Sequence, residues 1–280
     1  MRAMPLATFL ACLPALAAAA PGQPDAAAEV ARYRHCLDLA SSTPEEALRL
    51  SIGWRAEGGG LAARHCHAAA LLGSGDYEAA ATELAAIAED LRLGRGVPHD
   101  PLGPADSHRL LADVYAQMGN AWLLAGDPEK AYTAFSQGLA EAPADAGTAR
   151  VELHIDRARA LAETGDFAAA LADLKEARAG AAARSDILVY MASAYRALHE
   201  LDAASEAIAR AIDLAGEGPE TLLVRGNIAA ARGDAGAARR DWQAVITRWP
   251  GHAAAALAQE HLAALAPAMP ADGGKDPDSP

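Results

Sequence analysis

Residues 115–143 read Y-A-Q-M-G-N-A-W-L-L-A-G-D-P-E-K-A-Y-T-A-F-S-Q-G-L-A-E-A-P. This stretch constrains the fold more than any other part of the chain. Approaching and entering it, Leu110, Leu111, Val114, Tyr115, Met118, Trp122 and Leu123 recur at helical spacing. Gly126-Asp127-Pro128 then breaks the pattern. A proline at the first position of a helix loses no hydrogen bond, so Pro128 opens a second helix. Gly119 has no side chain, which lets that second helix approach its backbone. Ala131 is small where the two helices cross, Phe135 fills the space beside it, and Pro143 ends the hairpin.

The same features recur. Glycine occupies the turn at Gly75, Gly126, Gly165 and Gly233, with His199 in the equivalent place of one further unit. The small crossing residue recurs at Ala80, Ala131, Ala170, Ala204 and Ala238, in steps of 51, 39, 34 and 34 residues. The tetratricopeptide pattern is W-x2-L-G-x2-Y, then A-x3-F, then P, in a unit of about 34 residues. Here Tyr115 stands for Trp, Met118 for Leu and Trp122 for Tyr, while Gly119, Ala131, Phe135 and Pro143 match outright. The chain therefore resembles a tetratricopeptide-repeat (TPR) protein over roughly residues 61–250, with repeats at 61–93, 107–143, 150–183, 184–217 and 218–251. The resemblance implies an all-α, right-handed superhelix of about five helix hairpins. Its concave face, lined by the first helix of each repeat, would bind a peptide or protein segment.

Outside the repeats, residues 21–60 form an N-terminal helical pair. One helix spans residues 26–40, and Thr43 and Pro44 start a second that ends at the three glycines of 58–60. Residues 93–106, which include G-R-G-V-P-H-D-P-L-G-P, form a long Gly- and Pro-rich loop. Residues 252–266 are a capping helix, which a repeat array needs to cover its last hydrophobic face. Residues 267–280 are Pro-, Gly- and Asp-rich and carry the composition of a disordered tail.

Alanine, the best helix former, dominates a chain that is 52% hydrophobic and 5% aromatic, and no alternating β-branched run is present. The formal net charge of −13 argues against nucleic acid and anionic lipid as partners, since both need basic patches. Residues 1–20 read as a signal peptide: Arg2 at the start, an apolar run over residues 6–16, and small residues at 17–20. A lipoprotein signal ending at Cys12 is a second reading of the same segment. No later apolar run is long enough to span a bilayer, so the mature chain is expected to be soluble and periplasmic or secreted.

Beyond the leader, Cys36 and Cys66 remain, each in an Arg-His-Cys triplet. In an exported protein an even pair reads as a disulfide. In the chain-entropy model such a loop contributes about 3–4 kcal/mol. Two free buried thiols are an alternative. A metal site built from His35, Cys36, His65, Cys66 and His67 is another, and with it a metal-dependent or catalytic helical-repeat protein. No nucleophile elbow, H-E-x-x-H, P-loop or dinucleotide fingerprint is present, so no catalytic residue and no cofactor is assigned.

Numbering each repeat from its first helix pairs the seventh position with the twenty-third. Opposite charges coincide there in Arg157 with Asp173 and Arg225 with Asp241. Apolar residues coincide in Met118 with Ala134 and Met191 with Ala207, and the first repeat sets His67 against Glu83. In TPR arrays the second, fifth, sixth, ninth and twelfth positions face the groove. The resemblance therefore implies a peptide-binding set of Asp113, Gln117, Asn120, Arg159, Tyr190, Ser193, Arg196 and Asn227, with Glu152 and Asp156 beside them. A clamp for a peptide's terminal carboxylate needs basic residues at the second and fifth positions. Asp113 and Ala116, then Glu152 and Ile155, depart from it.

Overall fold

A computed structural model describes residues 26–95 and 104–265. The signal peptide expected at 1–20, the middle of the loop at 93–106 and the tail at 267–280 lie outside the described residues. Within them the chain is helical throughout, with no strand. The helices are α1 (Ala26–Ser42), α2 (Pro44–Ala56), α3 (Gly60–Ser74), α4 (Tyr77–Arg92), α5 (Pro104–Leu124), α6 (Pro128–Glu141), α7 (Gly147–Glu163) and α8 (Phe167–Gly180). They continue with α9 (Ser185–Ala197), α10 (Leu201–Ala215), α11 (Pro219–Ala231), α12 (Ala235–Arg248) and α13 (Ala253–Ala264). Packing divides the chain into two compact units, Met1–Gly180 and Ala181–Pro280, so α1–α8 lie in the first and α9–α13 in the second.

The units share one building block, an antiparallel hairpin of consecutive helices. In the first unit, α3 packs on α1 and α7 on α5 besides their hairpin partners; in the second, α11 packs on α9 and α13. The loop expected to reach Asp106 ends earlier, because helix α5 already begins at Pro104. Thr43 sits at the N-cap of α2, but its side chain makes no capping hydrogen bond. Pro44, Glu45 and Glu46 in the first turn are what favour that start, through a preset φ and charges that suit the positive helix end.

The turns follow a simple rule. Gly75, Gly126, Gly165 and Gly233 have φ between 80 and 84°, and His199 has φ 61°, the one left-handed non-glycine residue among those described. The next residue restarts the chain. Asp127, Asp166 and Asp234 accept hydrogen bonds from backbone N–H groups three residues on, at 3.1, 3.0 and 2.9 Å.

Inside each hairpin, size is matched across the crossing. Ala80, Ala131, Ala170, Ala204 and Ala238 are all fully buried or within 1% of it. A Cβ built on Gly119 would lie 2.5 Å from the Phe135 ring, and one on Gly226 would lie 2.6 Å from Trp242 Nε1. The same two positions in the other repeats hold Ala68 and Leu84, Ala158 and Leu174, and Ala192 and Ile208, all buried. Glycine therefore faces an aromatic ring and alanine faces an aliphatic chain. Either pairing fills the crossing at interior density.

The seventh and twenty-third positions also meet where charges were expected. Arg157 donates to both oxygens of Asp173 at 2.8 and 2.7 Å, and Arg225 to both oxygens of Asp241 at 2.9 and 2.8 Å. His154 adds a 2.9 Å bond to Asp173, and Arg157 reaches Ser136 on α6 at 3.2 Å. The expected His67–Glu83 pair does not form. Glu83 accepts from Arg64 at 2.8 Å, whose guanidinium also reaches Asp90, while His67 Nδ1 turns to the Ser51 hydroxyl at 3.0 Å. Arg64, three residues before His67, is longer and always charged, and it takes the carboxylate.

The glycine–aromatic match carries a test. Gly119→Ala should lower stability by about 1–3 kcal/mol, because the buried Phe135 ring cannot withdraw. In a Phe135→Leu background the same change should become neutral or stabilising, as alanine's helix preference of about 1 kcal/mol is released. Chemical denaturation of the two singles and the double checks the sign reversal, and simple additivity would contradict the packing argument.

Candidate functional site

Along the first unit, the first helices of successive hairpins are joined by polar side chains. Tyr33 on α1 donates its hydroxyl to His65 Nδ1 at 2.7 Å, and His65 Nε2 donates to Gln117 Oε1 on α5 at 2.7 Å. Gln117 presents an oxygen, so Nε2 carries the imidazole proton and Nδ1 accepts. Burial keeps His65 below its ordinary pKa, against the opposing pull of Gln117, and burial raises the Tyr33 phenol. One turn on, Asn120 Nδ2 donates to Asp156 Oδ2 on α7 at 3.1 Å and to its own helix at Ala116 O, also 3.1 Å. Asp156 is 6% exposed and accepts a second bond from Arg159 at 2.8 Å.

Three of the expected groove residues are therefore tied down, Gln117 through His65 to Tyr33, and Asn120 and Arg159 both to Asp156. In each the structure occupies only part of the hydrogen-bonding capacity. Among the described residues the Gln117 amide nitrogen and the Asn120 amide oxygen have no partner. Holding half of an amide fixes the direction of the other half, which lowers the entropy lost on binding.

Asp113 differs. Its carboxylate has no hydrogen bond or ion pair among the described residues, and burial pushes it up to about 6, above the 3.8 of a free side chain. It opens on a cleft of about 320 Å³ between α5 and the α6–α7 turn, lined also by Arg109, Asp145 and Thr148. Arg109 is committed to Asp145 at 2.8 Å and to Asp106 at 3.3 Å.

In the second unit the expected residues sit on two helices. On α9, Tyr190 is 39% exposed, Ser193 donates to the Val189 carbonyl at 3.1 Å, and Arg196 is half-buried. On α11, Asn227 Oδ1 accepts from Trp242 Nε1 at 3.0 Å, so this side chain serves the hairpin crossing as well as its exposed edge. Glu220 at the start of α11 meets His252 Nε2 at 3.2 Å, while His252 Nδ1 caps α13 by accepting from Ala254 N at 3.2 Å.

Cys36 and Cys66 are joined as a disulfide with a Cα–Cα distance of 5.9 Å, tying α1 to α3. The metal reading thereby loses its thiolates, and His65 and His67 are turned to Tyr33, Gln117 and Ser51 instead. Among the described residues no group of three His, Cys, Asp or Glu side chains is placed to hold a metal ion. The residue missed at the sequence level is His65 as a groove-side link. Its signal was available, since the repeat numbering puts it at the fifth position of its first helix.

No family sequence model and no curated protein sequence matches the chain. Solved structures do. The structure of Pseudomonas aeruginosa pilF superposes with a TM-score of 0.59 at 14% identity, covering 84% of this chain and 98% of its own. The C-terminal part of a TPR repeat-containing protein from Cytophaga hutchinsonii gives 0.56 at 15% identity, covering 84% and 96%. A tetratricopeptide repeat protein from Parabacteroides merdae gives 0.52 at 16% identity, covering 80% and 72%. The chain has the tetratricopeptide-repeat fold. In TPR terms, the polar system of the first unit lies along its first helices, and the glycine–aromatic crossings are the internal contacts of each TPR hairpin. No described helix is long and apolar enough to cross a membrane.

The position of Asp113 predicts a pH effect. Its folded-state pKa is raised, so the folded form holds the proton more tightly than the unfolded chain. Its carboxylate should therefore weaken the fold progressively as pH rises from about 4 to about 6. Asp113→Asn should raise the melting temperature by about 2–4 °C at pH 7, and the gain should vanish at pH 4. Thermal melts by circular dichroism at the two pH values measure it, and an equal gain at both would contradict the burial of this carboxylate.

Proposed function

We propose that this protein is a non-catalytic protein–protein interaction scaffold of the cell envelope, and that its TPR first helices grip an extended or helical segment of a partner. The observation that carries the proposal is the half-satisfied polar system of the first unit. Gln117 and Asn120 are oriented by His65 and Asp156, and each keeps an unused amide atom on a partly exposed side chain. Amides aimed in this way suit the backbone of a peptide, and Arg159 suits an acidic side chain on it. In the second unit Tyr190, Ser193, Arg196 and Asn227 offer an exposed ring, a hydroxyl, a guanidinium and an amide for the same purpose. The TPR fold of solved neighbours supports a scaffold, and the absence of a recognisable catalytic motif in the sequence agrees with it.

Export rests on the leader features of residues 1–20 and is supported by the Cys36–Cys66 disulfide, since such bonds persist in oxidising compartments. Protein recovered from the periplasm without reductant should begin within residues 18–21 and should resist alkylation at both cysteines. Two freely alkylated thiols, or an intact Met1, would remove the envelope from the proposal.

Partner capture tests the binding face unit by unit. One variant combines Gln117→Ala, Asn120→Ala and Arg159→Ala; a second combines Tyr190→Ala, Arg196→Ala and Asn227→Ala. Loss of two or three hydrogen bonds to a partner, at about 1 kcal/mol each, should weaken capture from an envelope extract by about tenfold or more. Both variants should keep helical circular dichroism. Undiminished capture by two folded variants would rule out the first-helix faces as the binding surface.

A further inference from the structure

Acidic residues recur at the second position of the first helix: Asp113, Glu152, Asp186 and Glu220 in the last four repeats. Their surroundings differ. Asp186 is held by Arg184 at 2.5 Å, and Glu220 by His252 at 3.2 Å. Asp113 is the one whose carboxylate, half-buried at the side of a cleft, has no hydrogen bond or ion pair among the described residues. A desolvated carboxylate without a donor is costly to a fold, and a cation brought by a ligand removes that cost.

The cleft around it has a definite charge balance. Among the described residues its lining holds one cation, Arg109, against two carboxylates, Asp113 and Asp145, and Arg109 is bonded to Asp145 and, outside the lining, to Asp106. The first arginine of α7, Arg150, is spent on the Leu139 and Ala142 carbonyls at 3.1 Å each. The free volume, about 320 Å³, lies at the lower end of ligand clefts and suits one long side chain rather than a folded segment.

We infer that the cleft between α5 and the α6–α7 turn is a subsite for a basic side chain, lysine or arginine, of the partner, with the Asp113 carboxylate as its counter-ion. The inference rests on the scaffold reading and adds to it the chemistry of one contact. It reverses the polarity of a carboxylate clamp, whose basic second position is here an acid. A cation at this place would donate the charge-assisted bonds that the Asp113 carboxylate does not receive within the chain.

The full-length protein is titrated with four small probes: acetyl-arginine amide, acetyl-lysine amide, acetyl-glutamate amide and spermidine. Backbone amide shifts of Ala112, Asp113 and residues 146–149 are followed by nuclear magnetic resonance, together with the Asp113 carboxyl carbon. The two basic amides should give saturable shifts there and move the Asp113 titration to lower pH, and the glutamate amide should do neither. Asp113→Asn should weaken both basic amides by at least about tenfold. Asp145→Asn should weaken them less, because its charge is already shared with Arg109. No saturable shift, or equal binding to Asp113→Asn, overturns the inference. So does binding of the glutamate amide alone, which would make Arg109 and the α7 N-terminus an anion site. Saturation by spermidine without either amide would assign the cleft to a free polyamine and overturn the partner-side-chain claim. The outcome separates from partner capture. Capture without probe binding removes only this subsite; probe binding without capture leaves the subsite and removes the scaffold reading.

Discussion

Two helices can cross closely only where one of them offers almost no side chain, and each of the five repeat hairpins from α3 to α12 depends on that. The alanines at 80, 131, 170, 204 and 238 bring the backbones together at one point of each crossing. A second point, eight residues into the first helix, is set by a complementary pair. Where it is glycine, as at Gly119 and Gly226, the opposing residue is Phe135 or Trp242; where it is alanine, the opposing residue is leucine or isoleucine. Summed volume is roughly conserved while the individual sizes change. Interiors near crystal density tolerate such exchanges when both partners change together and resist them singly.

With the crossing held in this way, polar groups within a hairpin can be placed reproducibly. The bidentate bonds of Arg157 to Asp173 and of Arg225 to Asp241 lie beside the crossings, where partial burial strengthens them. Burial by itself would disfavour the Asp173 charge, but hydrogen bonds from Arg157 and His154 outweigh it and hold the carboxyl below its ordinary range. Asp113 is the opposite case, a carboxylate with the burial and without the donors. Two acids of one unit thus differ in donors, and that contrast is what the proposed subsite at Asp113 rests on.

The first-helix face combines the two roles. His65, Gln117, Asn120 and Asp156 stitch neighbouring hairpins, yet the amides retain capacity on the exposed side. The proposed scaffold function depends on this compromise. Side chains wholly free would lose more entropy on binding, and side chains wholly satisfied would have nothing to offer.

How much of this is legible in the residues depends on the range of the interaction. Helix positions, the five turns, His199 in a glycine's place and the two Arg–Asp pairs follow from spacing, because they are contacts within one hairpin with a fixed repeat register. The pairing of Cys36 with Cys66 was one of three sequence readings, and it took the packing of α1 on α3 to bring their Cα atoms within 5.9 Å. The competition that gave Glu83 to Arg64 and sent His67 to Ser51 depends on reach in three dimensions, which periodicity does not encode. The same holds between hairpins: that His65 bridges Tyr33 and Gln117, and that Asp113 is left without a donor, is decided by how successive first helices stack. Local steric and turn chemistry is written residue by residue in the sequence; partner choice among polar groups that are distant along the chain is settled only when the packed helices bring some within hydrogen-bonding distance and leave others out.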